Sequence, residues 1–560
     1  MTTVNGIKNP SKQIASKQTV SKQTIFLVIV GLSALSISLI YQPLPENFPQ
    51  PWKYRFLSFW AHLFSKIGYL GEQVNLFDRI HVLRFLYYIA VGCFQIRDPQ
   101  HHLKVYDRKI LNISVRIYEP EEFAHEDKMP TVIHFHGGGW LLGCRETYDQ
   151  VTYALANLTP TAVNNVVKYD NISRTAKFNR KEEDCLEQAA FMLQEWGVSV
   201  KIAEFIELSK EYATFLNKSN LFSNGTPTYD WFYCFLNRHL NLIVYDRKIL
   251  NISVRIYEPE EFAHEDKMPT VIHFHGGGWL LGCRETYDQV TYALANLTRA
   301  LVISVEYRRV PEHYFPAALD DCTLITYELF RNAANYRIDV NRITLAGDSA
   351  GGNLALVITQ SLLRDGFSPR AACLIYPALQ FFDFTLPSYR LYLPRNILGV
   401  INEQNFLEVM SELTQSKIKV TRDVLFNNHT SAKDKKRLRP YVDAQKYLPI
   451  SLPFDSDEEG DEDLIQNLSF LISPKMSPLL VSDEELSKLP PIILFTTEYD
   501  ILRDEGFIFA ERLKSLNKTL YHHHFPTTFH GAHLLIHGPI SFNIAYEMIE
   551  HIARKIHENL

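Results

Sequence analysis

The stretch Gly347-Asp348-Ser349-Ala350-Gly351 stands between an apolar run, RITLA, and the helically periodic GNLALVITQSLL. Glycines on both sides of a serine permit close backbone approach in a sharp strand-to-helix turn, which lifts the Ser349 hydroxyl above a sheet edge. Serine is a weak nucleophile near neutral pH unless a base takes its proton, so this turn calls for a histidine and a carboxylate to orient it. Where such a turn feeds a nucleophile, the partners follow in the order acid, then histidine. Asp500, closing the apolar PIILFTTEY, is the acid of choice. Asp504 and Glu505 fall in the first turn of the next helix, where they would favour its dipole. Six histidines crowd the last segment: His522, His523, His524, His530, His533 and His537. His530 leads among them, because FHGAH follows the strand-like TLYHHHFP and Gly531 suits a loop.

Acyl transfer through a serine also needs donors for the oxygen that becomes negative in the tetrahedral intermediate. The run His275-Gly276-Gly277-Gly278-Trp279 offers backbone amides after an apolar strand, and the amide following the nucleophile can join them. No metal is expected, since the triple histidine has no cysteine or acidic partner at zinc-like spacing. No cofactor is expected either.

The glycine loop occurs twice. Val105 to Thr159 is repeated letter for letter as Val244 to Thr298, and deleting residues 105–243 leaves 421 of the 560 residues as a continuous chain. A stacking repeat would recur at least three times at a shorter period. Only one copy can lie beside the strand that ends at Ala346. The second reaches the next apolar run, ALVISVEYR, through two residues at most, whereas the first is followed by a long insertion. The working loop is therefore assigned to the second copy. The reverse allocation would move the donors to Gly138 and Gly139 and leave the first copy in use.

The elements that must position these residues alternate between buried-strand and helical patterns from TVIHFH onward, which predicts a mostly parallel sheet covered by helices on both faces. The domain limits expected are a cytoplasmic tail at 1–23, a transmembrane signal-anchor at 24–41, and a helical N-terminal or cap region at 42–104. A surplus copy follows at 105–159, an inserted helical fragment at 160–243, and the catalytic domain at 244–560. The inserted fragment, ending in DWFYCFLNRH, resembles the helix-turn-helix module of pogo-like transposases over about 70 residues. Its acidic and basic residues nearly balance, so the electrostatic footprint of a DNA binder is missing and no nucleic acid is expected as a partner.

A net charge of −6 and 46% hydrophobic content describe a globular chain with no reason to bind polyanions. The stretch 24–41 carries no charge and follows Lys8, Lys12, Lys17 and Lys22, an arrangement that favours a retained signal-anchor with a cytoplasmic N-terminus over a cleaved signal or an apolar core helix; either membrane reading sends the rest of the chain across the membrane. N-x-S/T sites at Asn112, Asn251, Asn428, Asn467 and Asn517 are then available for glycosylation.

Taken together, HGGGW, VEYRRVPEHYFPAALDD, GDSAGGNLAL, IYPALQ, PSYR, EYDILRDEG and FHGAH closely resemble the hormone-sensitive lipase family of α/β-hydrolases. The likeness runs from the anchor to Lys104 and from Val244 to the C-terminus; Arg309-Val310, where Leu-Ala is commoner, departs from it. It implies an α/β-hydrolase fold with a helical cap, Ser349, Asp500 and His530 as the triad, and Gly277, Gly278 and Ala350 as the oxyanion hole within a His275-Gly276 motif. It also implies a single-pass type II protein of the endoplasmic reticulum, facing the lumen, that hydrolyses lipophilic esters or arylacetamides. Two other readings stand beside it: a silent ligand-binding protein on the same fold, and a chimeric chain acting through 160–243.

Overall fold

A computed structural model describes residues 44–45, 48–58, 69, 80, 84, 209–210, 213, 242–259, 265–394, 403–414, 418–449, 458–536 and 541–560, and the backbone of four strands in residues 103–166. The uncharged stretch 24–41 lies outside them, as do Gly138, Gly139, His537 and nearly all of the 160–243 fragment. Among the described residues no helix is long and apolar enough to cross a membrane.

The four early strands are β1 (Leu103–Ile110), β2 (Ile113–Pro120), β3 (Thr131–His134) and β4 (Ala162–Val166). The main sheet contains β5 (Leu242–Ile249), β6 (Ile252–Pro259), β7 (Met268–Phe274), β8 (Leu301–Glu306), β9 (Ile338–Asp348), β10 (Ala371–Ile375), β11 (Ile492–Tyr499) and β12 (Leu520–Phe529). Its order is β12-β11-β10-β9-β7-β8-β6-β5. Every pair from β8 through β7 to β12 is parallel, and only β6 runs against its neighbours. This is the α/β-hydrolase fold. Strands covered on both faces must be apolar along their whole length, and AACLI of β10 is buried at every position.

Helices α1 (Arg284–Thr298), α2 (Ala317–Arg331), α3 (Ala350–Arg364), α4 (Arg503–Ser515) and α5 (Asn543–His557) cover the sheet. In α5, Ala545, Ile549, Ile552 and Ile556 recur at helical spacing and are buried. In α3 almost the whole circumference is buried, as befits the helix behind the central strand. Arg255 on β6 is buried against α1, held by Asp246 at 2.7 Å and Asp288 at 2.9 Å, so its charge is paired and hydrogen-bonded on both sides. Between β10 and β11 stand shorter helices including Pro387–Tyr392, Glu403–Leu413 and Ala432–Val442, and Val409 of the second lies 3.6 Å from where a Cβ on Gly278 would stand. These helices can contribute to a cap from the middle of the chain; most of the 42–104 region expected to form it lies outside the described residues.

The second copy supplies β5, β6 and β7 of the main sheet, and β7 lies between β8 and β9. The first copy forms a separate sheet of order β1-β2-β4-β3. There β4 stands where β8 stands in the main sheet, and in the same register: Thr131 faces Ala162 as Thr270 faces Leu301, and Val115 faces Val166 as Val254 faces Val305. Residues 160–243 therefore open on a strand where helix was expected. Ala-Val-Asn-Asn-Val follows an identical hairpin and strand after the same interval as β8, and it takes between β2 and β3 the place that β8 takes between β6 and β7.

Because β5 to β12 form without any strand of the first copy, a chain lacking residues 105–243 is expected to unfold cooperatively, with a thermal midpoint at or above that of the full chain. Differential scanning fluorimetry of the two proteins checks this, and a midpoint lowered in the shorter chain would show that the first copy supports the main sheet.

Candidate active site

The turn after β9 forces two backbones into contact. Ser349 adopts φ 54° and ψ −118°, a strained conformation for a residue with a side chain, and its amide is held by the Ile375 carbonyl at 2.9 Å. A Cβ on Gly351 would meet the Phe274 carbonyl oxygen at 1.9 Å, and one on Gly347 would meet Gly351 at 2.4 Å. The two glycines of the pentapeptide are thus required for the turn to close against the end of β7.

His530 follows β12 and Asp500 follows β11, neighbouring strands whose carboxyl ends open toward Ser349. His530 Nε2 is 3.0 Å from Ser349 Oγ, and His530 Nδ1 is 2.8 Å from Asp500 Oδ2. Asp500 is fully buried and also accepts from Thr497 Oγ1 at 3.1 Å and the Leu502 amide at 2.9 Å. Its carboxylate is thereby fixed toward the imidazole. The left-handed Gly531, at φ 80°, turns the chain away directly after His530.

The glycine loop lies across from the turn. Gly277 and Gly278 adopt φ 109° and 63°, and a Cβ on Gly277 would strike the Leu281 carbonyl at 2.3 Å. Among the described residues, none of the hydrogen bonds uses the amides of Gly277, Gly278 or Ala350. The loop is braced from beneath by Asp348, which accepts from the Gly276 amide at 3.0 Å and from Tyr287 Oη at 2.9 Å. His275 points away from the reacting groups. Its ring stacks on Tyr307 at 4.1 Å and bonds the Gly276 carbonyl at 2.8 Å, and burial holds its pKa down at about 3.

Of the other histidines, His522 and His524 lie on β12 and share the Thr496 hydroxyl, each at 3.0 Å. His533 is buried and bonds Tyr376 Oη, whose ring packs 4.5 Å from that of His530. No group of three His, Cys, Asp or Glu among the described residues could hold a metal ion. Glu505 does more than face a helix dipole. It is fully buried, burial raises its pKa well above the usual carboxylate value, and it accepts from the Leu379 amide at 2.6 Å and Gln380 Nε2 at 3.0 Å. It therefore ties α4 to the loop after β10. The bracing roles of Asp348, Tyr287, Tyr307 and Glu505 were not read from sequence. The available signal was their polarity inside otherwise apolar patterns.

A family profile described as alpha/beta hydrolase fold matches residues 271–442 and 463–534. Arylacetamide deacetylase of Bos taurus is 32% identical over 331 residues, covering 57% of this chain and 81% of its own length. Neutral cholesterol ester hydrolase 1 of Rattus norvegicus is 30% identical over 337 residues, at 57% and 80% coverage. The chain belongs to the hormone-sensitive lipase family of α/β-hydrolases. Arylacetamide deacetylase-like 2 of Homo sapiens, 28% identical over 330 residues, is a further relative. Within this family the chain is a carboxylic ester hydrolase.

The brace beneath the hydrolase's glycine loop has a pH signature. Burial pushes the Asp348 pKa up from its usual 3.8 to about 6, so the charged form is disfavoured in the folded state. A carboxyl group shifted this way contributes stability below its unfolded pKa and loses that contribution as pH rises from about 4 to about 6. The difference is roughly 3 kcal/mol at most. Asp348→Asn is expected to flatten this part of the stability profile, measured as the urea midpoint at pH 4.5 and pH 7.5; an unchanged pH difference would remove Asp348 as its source.

Proposed function

We propose that this hydrolase is a membrane-anchored serine carboxylesterase acting on lipophilic acyl esters or arylacetamides. The observation that carries the reading is the continuous chain Ser349 Oγ, His530 and Asp500, at 3.0 and 2.8 Å. In this mechanism Ser349 attacks the carbonyl carbon while His530 Nε2 takes its proton. Asp500 keeps the imidazole oriented and stabilises its charged form. The amides of Gly277, Gly278 and Ala350 receive the developing oxyanion. His530 then returns the proton to the leaving alcohol or amine, and water repeats the sequence to release the acyl group from Ser349.

The anchor is assigned to residues 24–41, with the catalytic domain in the endoplasmic reticulum lumen. Supporting this are the uncharged stretch, the lysines ahead of it and the family membership. The lipophilic substrate class is supported by the relatives, whose names specify an arylacetamide and a cholesterol ester. Neither the first copy nor residues 160–243 has a part in the reaction, and no nucleic acid is a partner.

Membranes carrying the full chain are expected to hydrolyse a short p-nitrophenyl ester and to be labelled by a fluorophosphonate. Ser349→Ala is expected to lower turnover by on the order of 10⁶-fold and to abolish labelling. Turnover that survives Ser349→Ala would assign the reaction to another nucleophile, and no turnover by the wild type on esters or arylacetamides would sink the reading. Removing one loop amide from service is expected to be milder: an amide-to-ester replacement at Gly278, which removes the donor and leaves its φ of 63° accessible, should cost about 10²- to 10³-fold in kcat with the fold retained, as kcat and circular dichroism would show.

A further inference from the structure

The N-terminal segment reaches the back of the reaction centre. Phe48 and Tyr54, before and within the helical turn 51–58, are each only 4% exposed. The Phe48 ring lies 4.9 Å from Tyr499 and stacks on Phe529 at 5.6 Å, while Tyr54 meets Phe48 edge-on at 4.5 Å and Phe529 at 5.3 Å. Tyr499 immediately precedes Asp500, and Phe529 immediately precedes His530.

Those two strand ends need support. The ladder between β11 and β12 is regular to Thr497, then shifts register before Tyr499 pairs with Phe529, and the His530 amide meets the Tyr499 carbonyl only at 3.4 Å. Backbone pairing alone therefore holds the acid and the histidine loosely. Side chains alternate between faces along a strand, so aromatic rings packed on Tyr499 and Phe529 bear on the backbones of the next residues from outside the reacting cluster. The segment is itself latched. Gln50 Oε1 accepts from the Asn543 amide at 3.2 Å, Lys53 Nζ donates to the Ser541 carbonyl, and Phe542 packs on Phe529 at 5.2 Å.

We propose that Phe48 and Tyr54 are positioning residues for the Asp500 and His530 pair, so that the segment joining the anchor to the hydrolase is a working part of the reaction centre. The proposal rests on the triad reading given above. The rings touch no reacting atom; they fix where two carboxyl-terminal strand ends stop. Misplacement of a reacting group by about 1 Å is enough to cost on the order of 10²-fold in rate.

The test uses the full chain in membranes and in detergent. Phe48→Ala is expected to lower kcat on a short p-nitrophenyl ester by roughly 10- to 100-fold while KM stays within about twofold, and Phe48→Leu to recover most of the loss. Phe330→Ala empties a comparably buried aromatic site on α2, where Phe330 is 5% exposed and packs on Phe367, and is expected to lower the thermal midpoint without the kcat loss. A second reading is independent of turnover: the low-field Nδ1 proton resonance of His530, assigned by its disappearance in His530→Gln, is expected to broaden or vanish in Phe48→Ala. The proposal is overturned if Phe48→Ala changes KM alone, if Phe330→Ala matches its kcat loss, or if the His530 resonance is unchanged. Failure of the wild type to react with fluorophosphonate would instead sink the triad reading, and the resonance would still decide the positioning claim.

Discussion

The structure depends on one close approach, that of Gly351 to the carbonyl of Phe274. No side chain fits between them: a Cβ would stand 1.9 Å from that oxygen. The contact brings the turn after β9 against the end of β7, and everything at the site follows from it. Ser349 is held in its strained conformation by the turn. The glycine loop leaving β7 must start beside the serine, and α3 starts at the very next residue, Ala350. Asp348 closes the same contact with polar bonds by accepting from the Gly276 amide and Tyr287. Steric necessity and hydrogen bonding thus act on one spot, which is why a carboxyl group is retained there despite the cost of burying it.

A second layer of buried polar groups keeps the surrounding loops from drifting. Tyr307 Oη bonds the His275 carbonyl at 2.7 Å, the Val310 amide bonds the Trp279 carbonyl at 3.0 Å, and Arg84 reaches the Leu280 carbonyl at 3.0 Å. On the opposite side Glu505 fastens the loop after β10. These bonds are made largely to backbone groups in turns, which would otherwise be buried without partners. Their contribution is specificity of placement more than stability, since each replaces a bond to water and nets about 1 kcal/mol. Among the described residues, the amides of Gly277 and Gly278 take no part in this exchange.

Much of this was legible in the sequence because its logic is local. The glycines around Ser349 announce a turn that tolerates no Cβ, the apolar runs announce parallel strands, and chain order separates acid from histidine. His530 could be chosen among six because a glycine follows it. Less legible were the features set by contacts far apart in the chain. Asp348 reads as part of a turn, and only the arrival of Gly276, 72 residues away, gives its carboxylate work. Glu505 reads as a helix-start acid, and only the loop at Leu379 explains its burial. Phe48 and Tyr54 carry no motif at all; their place is defined by two strand ends more than 440 residues later.

The duplicated segment separates what sequence can decide from what it cannot. Val105 to Thr159 and Val244 to Thr298 have identical local preferences, and both make the same hairpin and following strand. They differ in what comes next. After Thr298, Leu301–Glu306 and then Ile338–Asp348 are available, so β7 acquires a neighbour on each side and an elbow to press against. After Thr159, Ala162–Val166 completes a four-stranded sheet in which β3 stands at the edge. An edge strand presents unpaired backbone groups. What sets the second copy apart is the Gly351 and Phe274 contact, which only the chain that follows it can supply.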